Sequence, residues 1–249
     1  MSSEQLEILY QDDHLVAVNK PPGLLVHRSM IDKHETRFAL QLVRNQIGQR
    51  VYPVHRLDKP TSGVLLFALD SETARLLGEQ FTADVVQKQY LAVVRGYSAE
   101  HELIDYPLKV QLDKMSDALA DQDKQAQAAV TEYRRLAIAE LPVPVGRYKT
   151  ARYSLLQLMP KTGRKHQLRR HMKHIFHPII GDTSHGDGRQ NQFFRQQFDC
   201  HRLLLAATAM SFMHPHTAAK LELRASLDVV FEKIIDELGW RELYQRSLQ

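Results

Sequence analysis

Asp58 lies in HRLDKPTSG, residues 55 to 63, directly between two cations, Arg56 and Lys59, and just before a turn-forming Thr-Ser-Gly. A loop aspartate of this kind either holds a turn or an ion pair or, kept ionised, attacks an electrophile. Two other segments carry reactive side chains: Lys88-Gln89-Tyr90, and the basic run GRKHQLRRH at 163 to 171. Taken singly, the tyrosine fills a strand and the basic run is a wetted helix face. Together they supply a narrower set: an ionised carboxylate, a cation to hold it, and a surface for a polyanion.

Other chemistries fit less well. His166, His171, His174 and His177 lack the i, i+4 spacing or the cysteine pairs of zinc sites, and the cations Arg164, Lys165, Arg169, Arg170 and Lys173 surround them. No metal site and no metal partner are expected. Asp58 has no second acid two residues on, and the chain has neither a Walker-type phosphate loop nor a dinucleotide fingerprint. No cofactor is expected.

The 249 residues, 43% apolar and 25% charged, have ordinary globular composition. The net charge of +4 is modest but uneven. Between Arg147 and Arg202 twelve Lys/Arg face three acids, a local +9 that leaves about −5 on the rest. Eight of those twelve are arginine, whose planar guanidinium binds phosphate bidentately and stacks on bases. A concentrated basic surface suits a nucleic acid, although a solvated face has the same composition. No apolar run is long enough to span a bilayer, MSSEQLEILY lacks a leader pattern, and the single Cys200 has no internal partner. A cytoplasmic protein with no membrane partner is expected.

Several elements must position these residues. LEILY (6 to 10) and HLVAVNK (14 to 20) read as a hairpin that ends at Pro21-Pro22-Gly23. Phe38, Ala39, Leu42 and Val43 predict a helix after a polar start at Asp32 to Glu35, closed by Gly48. GVLLFALD (63 to 70) reads as a buried strand, so Asp58 falls in a loop between strands. Asp70 or Ser71 caps a helix carrying Leu76, Leu77 and Phe81, and KQYLAVVRG (88 to 96) is a strand. Residues 113 to 128 are polar and weakly patterned, as expected of a surface excursion. TEYRRLAIAEL and ARYSLLQLMP are strands, Leu168, Met172 and Ile175 stripe a helix over 165 to 175, and KLELRA is a last strand before the amphipathic LDVVFEKIIDEL. Strands in runs without βαβ regularity predict an α+β fold with a mixed, largely antiparallel central sheet.

With these residues in view, HRLDKPTSG resembles the HRLDxxTSG signature of the RluA-like family of pseudouridine synthases. AVNKPPGLLVH (17 to 27), KQYLAVVRG, GRKHQLRRH and HPIIGDTSHG (177 to 186) resemble that family's other segments, in the same order. The resemblance implies a catalytic domain over residues 1 to 249 without an S4-like module, with a cleft across the sheet. It places the catalytic aspartate on Asp58, a tyrosine against the target uracil on Tyr90, and the arginine that pairs with the aspartate on Arg169. It implies that Arg56 enters the RNA helix vacated by a flipped nucleotide, with Arg164, Lys165, His166 and Gln167 on the substrate-binding side. Leu205 stands where many family members carry histidine.

The implied reaction is an isomerisation in which the uracil N1 to C1′ bond breaks, the held base rotates, and C5 bonds to C1′. Either a covalent Asp58 adduct or a glycal intermediate would serve. The full-length resemblance implies tRNA as the RNA partner, with uridine 65 as the target, and a monomer. Ribosomal RNA as substrate, a non-catalytic RNA-binding module and a hydrolase using Asp58 are the alternatives, and product analysis separates them.

Overall fold

A strand buried on both faces must be apolar without alternation. SGVLLFA, Ser62–Ala68, meets that condition and is buried at every position. The computed structural model describes residues 5–27, 35–110 and 125–248. Its elements in chain order are β1 (Glu7–Gln11), β2 (Leu15–Lys20), α1 (Ala39–Ile47), β3 (Tyr52–Pro53), β4 (Ser62–Ala68), α2 (Ser71–Thr82), β5 (Gln87–Arg95), β6 (His101–Asp105), β7 (Val130–Leu141) and β8 (Ala151–Pro160). There follow α3 (Gln167–His174), α4 (Gly188–Phe198), β9 (Leu205–Met213), β10 (Lys220–Arg224), α5 (Val229–Glu237) and α6 (Arg241–Arg246).

The strands form one sheet of ten in the order β1-β2-β4-β9-β5-β8-β7-β6, with β3 beside β4 and β10 beside β9. All pairings are antiparallel except β4 with β9, so the mixed, largely antiparallel α+β sheet expected from the sequence is the fold observed. Alternation sorts the side chains into cores on both faces. Leu65 and Phe67 of β4 join Ala39 and Val43 of α1, whereas Val64, Leu66 and Ala68 join Leu77 of α2. Farther along the sheet, Leu168 and Met172 of α3 cover Ala92, Val94, Leu156 and Leu158, while α4, α5 and α6 bury Phe194, Phe231, Ile234 and Trp240 over the other face. Arg169 is thus fixed by the apolar stripe of a helix docked on β5 and β8.

Some boundaries differ from the sequence reading. α1 starts at Ala39, after an extended Phe38, because Phe38 offers no side-chain cap and the chain enters from a bridge between Leu25 and Phe38. Asp32 and most of the expected polar start lie outside the described residues, as do residues 113 to 124 of the polar excursion. α3 starts at Gln167 rather than 165, since His166 adopts a left-handed conformation at φ 53°. The sequence carries no expectation for β6, β9, α4 or α6. α4 carries a clear start signal in Asp187, which accepts from the Arg189 and Gln190 amides, but its GRQNQFFRQQF is too polar to show a stripe. Among the described residues no helix is long and apolar enough to cross a membrane.

The glycine of Thr-Ser-Gly has a specific duty. Gly63 sits at φ +109°, and a Cβ there would lie 2.1 Å from the Ala207 carbonyl oxygen of β9. Only glycine lets the parallel pair close and carries the Asp58 loop into the sheet. Gly63→Ala is therefore expected to destabilise the protein by about 2 kcal/mol or more. Urea unfolding measures this, and an unchanged midpoint would mean that β4 and β9 separate freely.

Candidate active site

The Asp58 loop is set from below by a buried lysine. Lys20 Nζ, at the end of β2, donates to the carbonyls of Pro21 (2.9 Å), Leu24 (2.8 Å) and Lys59 (3.2 Å), tying the Pro-Pro-Gly turn to the residue after Asp58. Burial, then the nearby Arg202 guanidinium, pushes the Lys20 pKa down to about 7, with Asp58 pulling the other way. The Gly23 amide also donates to the Lys59 carbonyl at 2.8 Å, and Thr61 closes the turn on the Asp58 carbonyl at 3.0 Å. His55 is structural as well. Its Nε2 accepts the Leu66 amide at 3.0 Å and its ring stacks on Phe81, so burial, aided by the Lys88 charge, lowers its pKa to about 3.

The cation facing Asp58 is not one of its sequence neighbours. Lys59 reaches Glu35 at 3.0 Å, and Arg56 is exposed at the rim of the cleft. Arg169, 111 residues away in sequence, donates from Nη1 to Asp58 Oδ2 at 3.1 Å. The rest of its guanidinium is bidentate on Asp182, with Nε to Oδ2 at 2.7 Å and Nη2 to Oδ1 at 2.8 Å. Arg169 and Asp182 are almost fully buried, while the Asp58 side chain keeps 22% exposure toward the cleft. Burial works against the Asp182 charge, but the Arg169 hydrogen bonds and the His185 and Ser184 amides hold its carboxyl below the usual range. Burial likewise opposes the Arg169 charge, and Asp182 and then Asp58 more than compensate.

Tyr90 is aimed by a bulge. Gln89 pairs with Ala209 and Tyr90 with Ala207, leaving Thr208 as the extra residue of β9. Bulges re-aim side chains beside active sites. Tyr90 and Lys88, two apart on one strand face, both line the cleft, with Leu205 contributing an apolar wall. Burial, and then Asp58, push the Tyr90 phenol above its ordinary pKa, so it is protonated at neutral pH.

The α3 start completes the site. His166 Nε2 lies 3.8 Å from Asp58 Oδ2, and its Nδ1 lies 3.0 Å from His185 Nε2. Burial lowers the pKa of both, that of His185 to about 4. Gln167 points inward. Its Oε1 accepts from Thr162 Oγ1 (2.7 Å) and the Arg164 amide (3.0 Å), and its Nε2 donates to the Val130 carbonyl and Thr131 Oγ1, both at 3.0 Å. Arg164 donates from Nε to the Ala128 carbonyl at 3.0 Å, and it lines the cleft with Lys165. The cavity these groups enclose, about 550 Å³, is within the range of ligand sites.

Residues 14–174 match the family of RNA pseudouridylate synthases, and that span holds Asp58, Tyr90 and Arg169. The chain belongs to this family. It is 57% identical to the tRNA pseudouridine synthase C of Haemophilus influenzae over 238 residues, covering 96% of this chain and 100% of that one. It is 56% identical to the enzyme of the same name from Vibrio cholerae over 237 residues, 95% of this chain and 97% of that one. Human RNA pseudouridylate synthase domain containing 4 superposes with a TM-score of 0.68 at 26% identity, covering 93% and 92% of the two chains. As an RNA pseudouridylate synthase, the protein is an isomerase. Sequence reading missed Asp182, His185 and Lys20, although Asp182 is the one acid among the cations of 161 to 186.

Two outcomes follow for this pseudouridylate synthase. Asp182→Asn removes half of a buried ion pair and is expected to lower stability by roughly 3 kcal/mol, while loosening the Arg169 contact to Asp58. Full turnover with full stability in that variant would contradict the coupling. His55 and His185 have depressed folded pKa values, so the unfolded chain binds more protons and stability is lost as pH falls from about 6.5 toward 4. Urea midpoints at pH 7 and pH 4.5 are expected to show that decline, and His55→Gln to flatten it.

Proposed function

We propose that this RNA pseudouridylate synthase converts a uridine of tRNA, uridine 65, to pseudouridine, with Asp58 as the catalytic carboxylate. The observation that carries the chemistry is the pairing of Asp58 with Arg169 at the floor of the cleft. The names and coverage of the relatives support tRNA as the substrate class. The whole chain acts as one catalytic domain in the cytoplasm.

In the reaction, Asp58 assists cleavage of the N1 to C1′ bond, by adduct or by glycal. Arg169 holds the Asp58 carboxyl in place through its Nη1 hydrogen bond. The Tyr90 ring lies against the base as it turns, and the C5 proton leaves once C5 has bonded to C1′. Arg56, exposed and without a side-chain hydrogen bond among the described residues, fills the stack left by the extruded nucleotide. Arg164 and Lys165, at the positive end of α3, take phosphate. His166 meets substrate beside Asp58, and Gln167 acts by holding the 162–164 turn in place.

Asp58→Asn preserves shape and removes charge. It is expected to bind RNA normally and to fall below about one part in a thousand of wild-type tritium release from C5-labelled uridine RNA. Turnover above that level would remove Asp58 from the nucleophile's role. Tyr90→Phe is expected to be milder than Tyr90→Ala, and equal losses would give the hydroxyl a proton-transfer role. Charge reversal at Arg164 or Lys165 is expected to flatten the salt dependence of binding by roughly one per phosphate contact. Separate unmodified tRNA and ribosomal RNA transcripts, mapped for pseudouridine after incubation, test the substrate. Modification confined to ribosomal RNA overturns the tRNA assignment and leaves the chemistry intact.

A further inference from the structure

At the opposite end of β4 from Asp58, roughly 20 Å along the strand, three connections meet. The β1–β2 turn brings His14, the start of α2 brings Asp70, and the β9–β10 turn brings His216. One ligand atom from each lies within 4.8 Å of the other two. His14 Nδ1 is 3.8 Å from Asp70 Oδ2, and the His14 and His216 rings stack with centroids 3.8 Å apart.

Surrounding bonds hold the turns that carry these residues. Asp12 Oδ1 accepts the amides of His14 and Leu15, each at 2.8 Å, and Asp12 Oδ2 accepts the Tyr10 hydroxyl at 2.6 Å. His214, fully buried, has its Nδ1 on the amides of His216 (3.2 Å) and Thr217 (3.1 Å) and its Nε2 on Asp12 Oδ2 (2.9 Å). Those partners assign the tautomer: Nδ1 accepts and Nε2–H donates. His214 therefore has no nitrogen left for a metal, and instead ties the turn carrying His216 to the turn carrying His14. Asp70 caps α2 by accepting the Thr73 amide at 2.8 Å and the Thr73 hydroxyl at 2.7 Å, and Thr73 Oγ1 is 2.8 Å from His216 Nε2. The Thr73 amide and hydroxyl keep the Asp70 carboxyl below its usual pKa.

We propose that His14, Asp70 and His216 form a structural site for one borderline divalent transition metal ion of the zinc class, with water completing its coordination. Two imidazoles and one carboxylate suit zinc, nickel or copper rather than magnesium or calcium. Bonds of about 2.0–2.2 Å put tetrahedral ligand atoms about 3.4 Å apart, so donors now within 4.8 Å of one another close by up to about 1.4 Å. The exposed His216 supplies most of that movement, and the side chains of His14 and Asp70 are 38% and 44% exposed, which leaves an entry path. The positive end of α2 opposes a cation, and the Asp70 charge offsets it. Binding clamps the first turn of α2, the helix whose last residues Phe81 and Thr82 line the cleft. The ion stands apart from Asp58 and takes no part in the isomerisation.

The test uses tag-free full-length protein, stripped with chelator and titrated with cobalt(II) and zinc(II). One equivalent of cobalt is expected to bind with a visible d–d spectrum, and zinc to displace it and raise the thermal midpoint. His14→Ala and His216→Ala, at positions outside the packed core, are each expected to lose more than about tenfold in affinity and to lose the zinc-dependent rise, with pseudouridine formation unchanged. No uptake by the wild type overturns the proposal. So does uptake that both variants retain, which would move the ion to another histidine pair such as His166 and His185.

Discussion

One guanidinium shared by two carboxylates organises this protein. Arg169 is buried between Asp182, equally buried, and Asp58, the most exposed of the three. A buried charge without a partner costs several kcal/mol, so the Asp58 loop, α3 and the loop after Ile180 are held to a common geometry. Asp182 anchors the guanidinium through two nitrogens and leaves the third nitrogen to point at Asp58. The net charge of the trio is −1, and the anionic group open to the cleft is the one that reacts in the proposed mechanism.

The sheet makes that arrangement rigid. Among the described residues β4 with β9 is the one parallel pairing between strands; it lies near the sheet centre, and the Asp58 loop enters β4 where Gly63 abuts the β9 backbone. On the other side of β9, the bulge at Thr208 turns Tyr90 into the same cleft. Lys20 stitches the loop from beneath through three carbonyls, which explains why a lysine is tolerated in the core. Sites placed on strands and helices hold their geometry better than sites on free loops, and this loop is secured at both ends by sheet.

The basic stretch between Arg147 and Arg202 has two roles that charge counting merges. Arg169 serves the site, Arg202 pairs with Asp228 inside the fold, Arg152 meets Glu140 and Lys161 meets Glu132. Part of the local excess of charge is therefore consumed in ion pairs with acids from outside the stretch. The cleft itself is lined by Arg164 and Lys165 from the stretch, joined by Arg56 and Lys88 from outside it.

The sequence alone determined the α+β class and most strands, and it singled out Asp58, Tyr90 and Arg169 as site candidates, because apolar periodicity and contiguous motifs are local signals. It also marked the Asp70 cap of α2 and the Gly48 close of α1. Tertiary structure decided what those residues touch. Lys59, adjacent to Asp58 in sequence, turns to Glu35, and Arg169 takes its place; Gln167, adjacent to His166, faces the interior. α4 escaped notice because its apolar contacts come from a few phenylalanines in a polar segment, and Asp182 because its partner lies on another element. Pairing between charges distant in the chain depends on how helices dock on a sheet, and that docking is set by three-dimensional packing rather than by any local pattern.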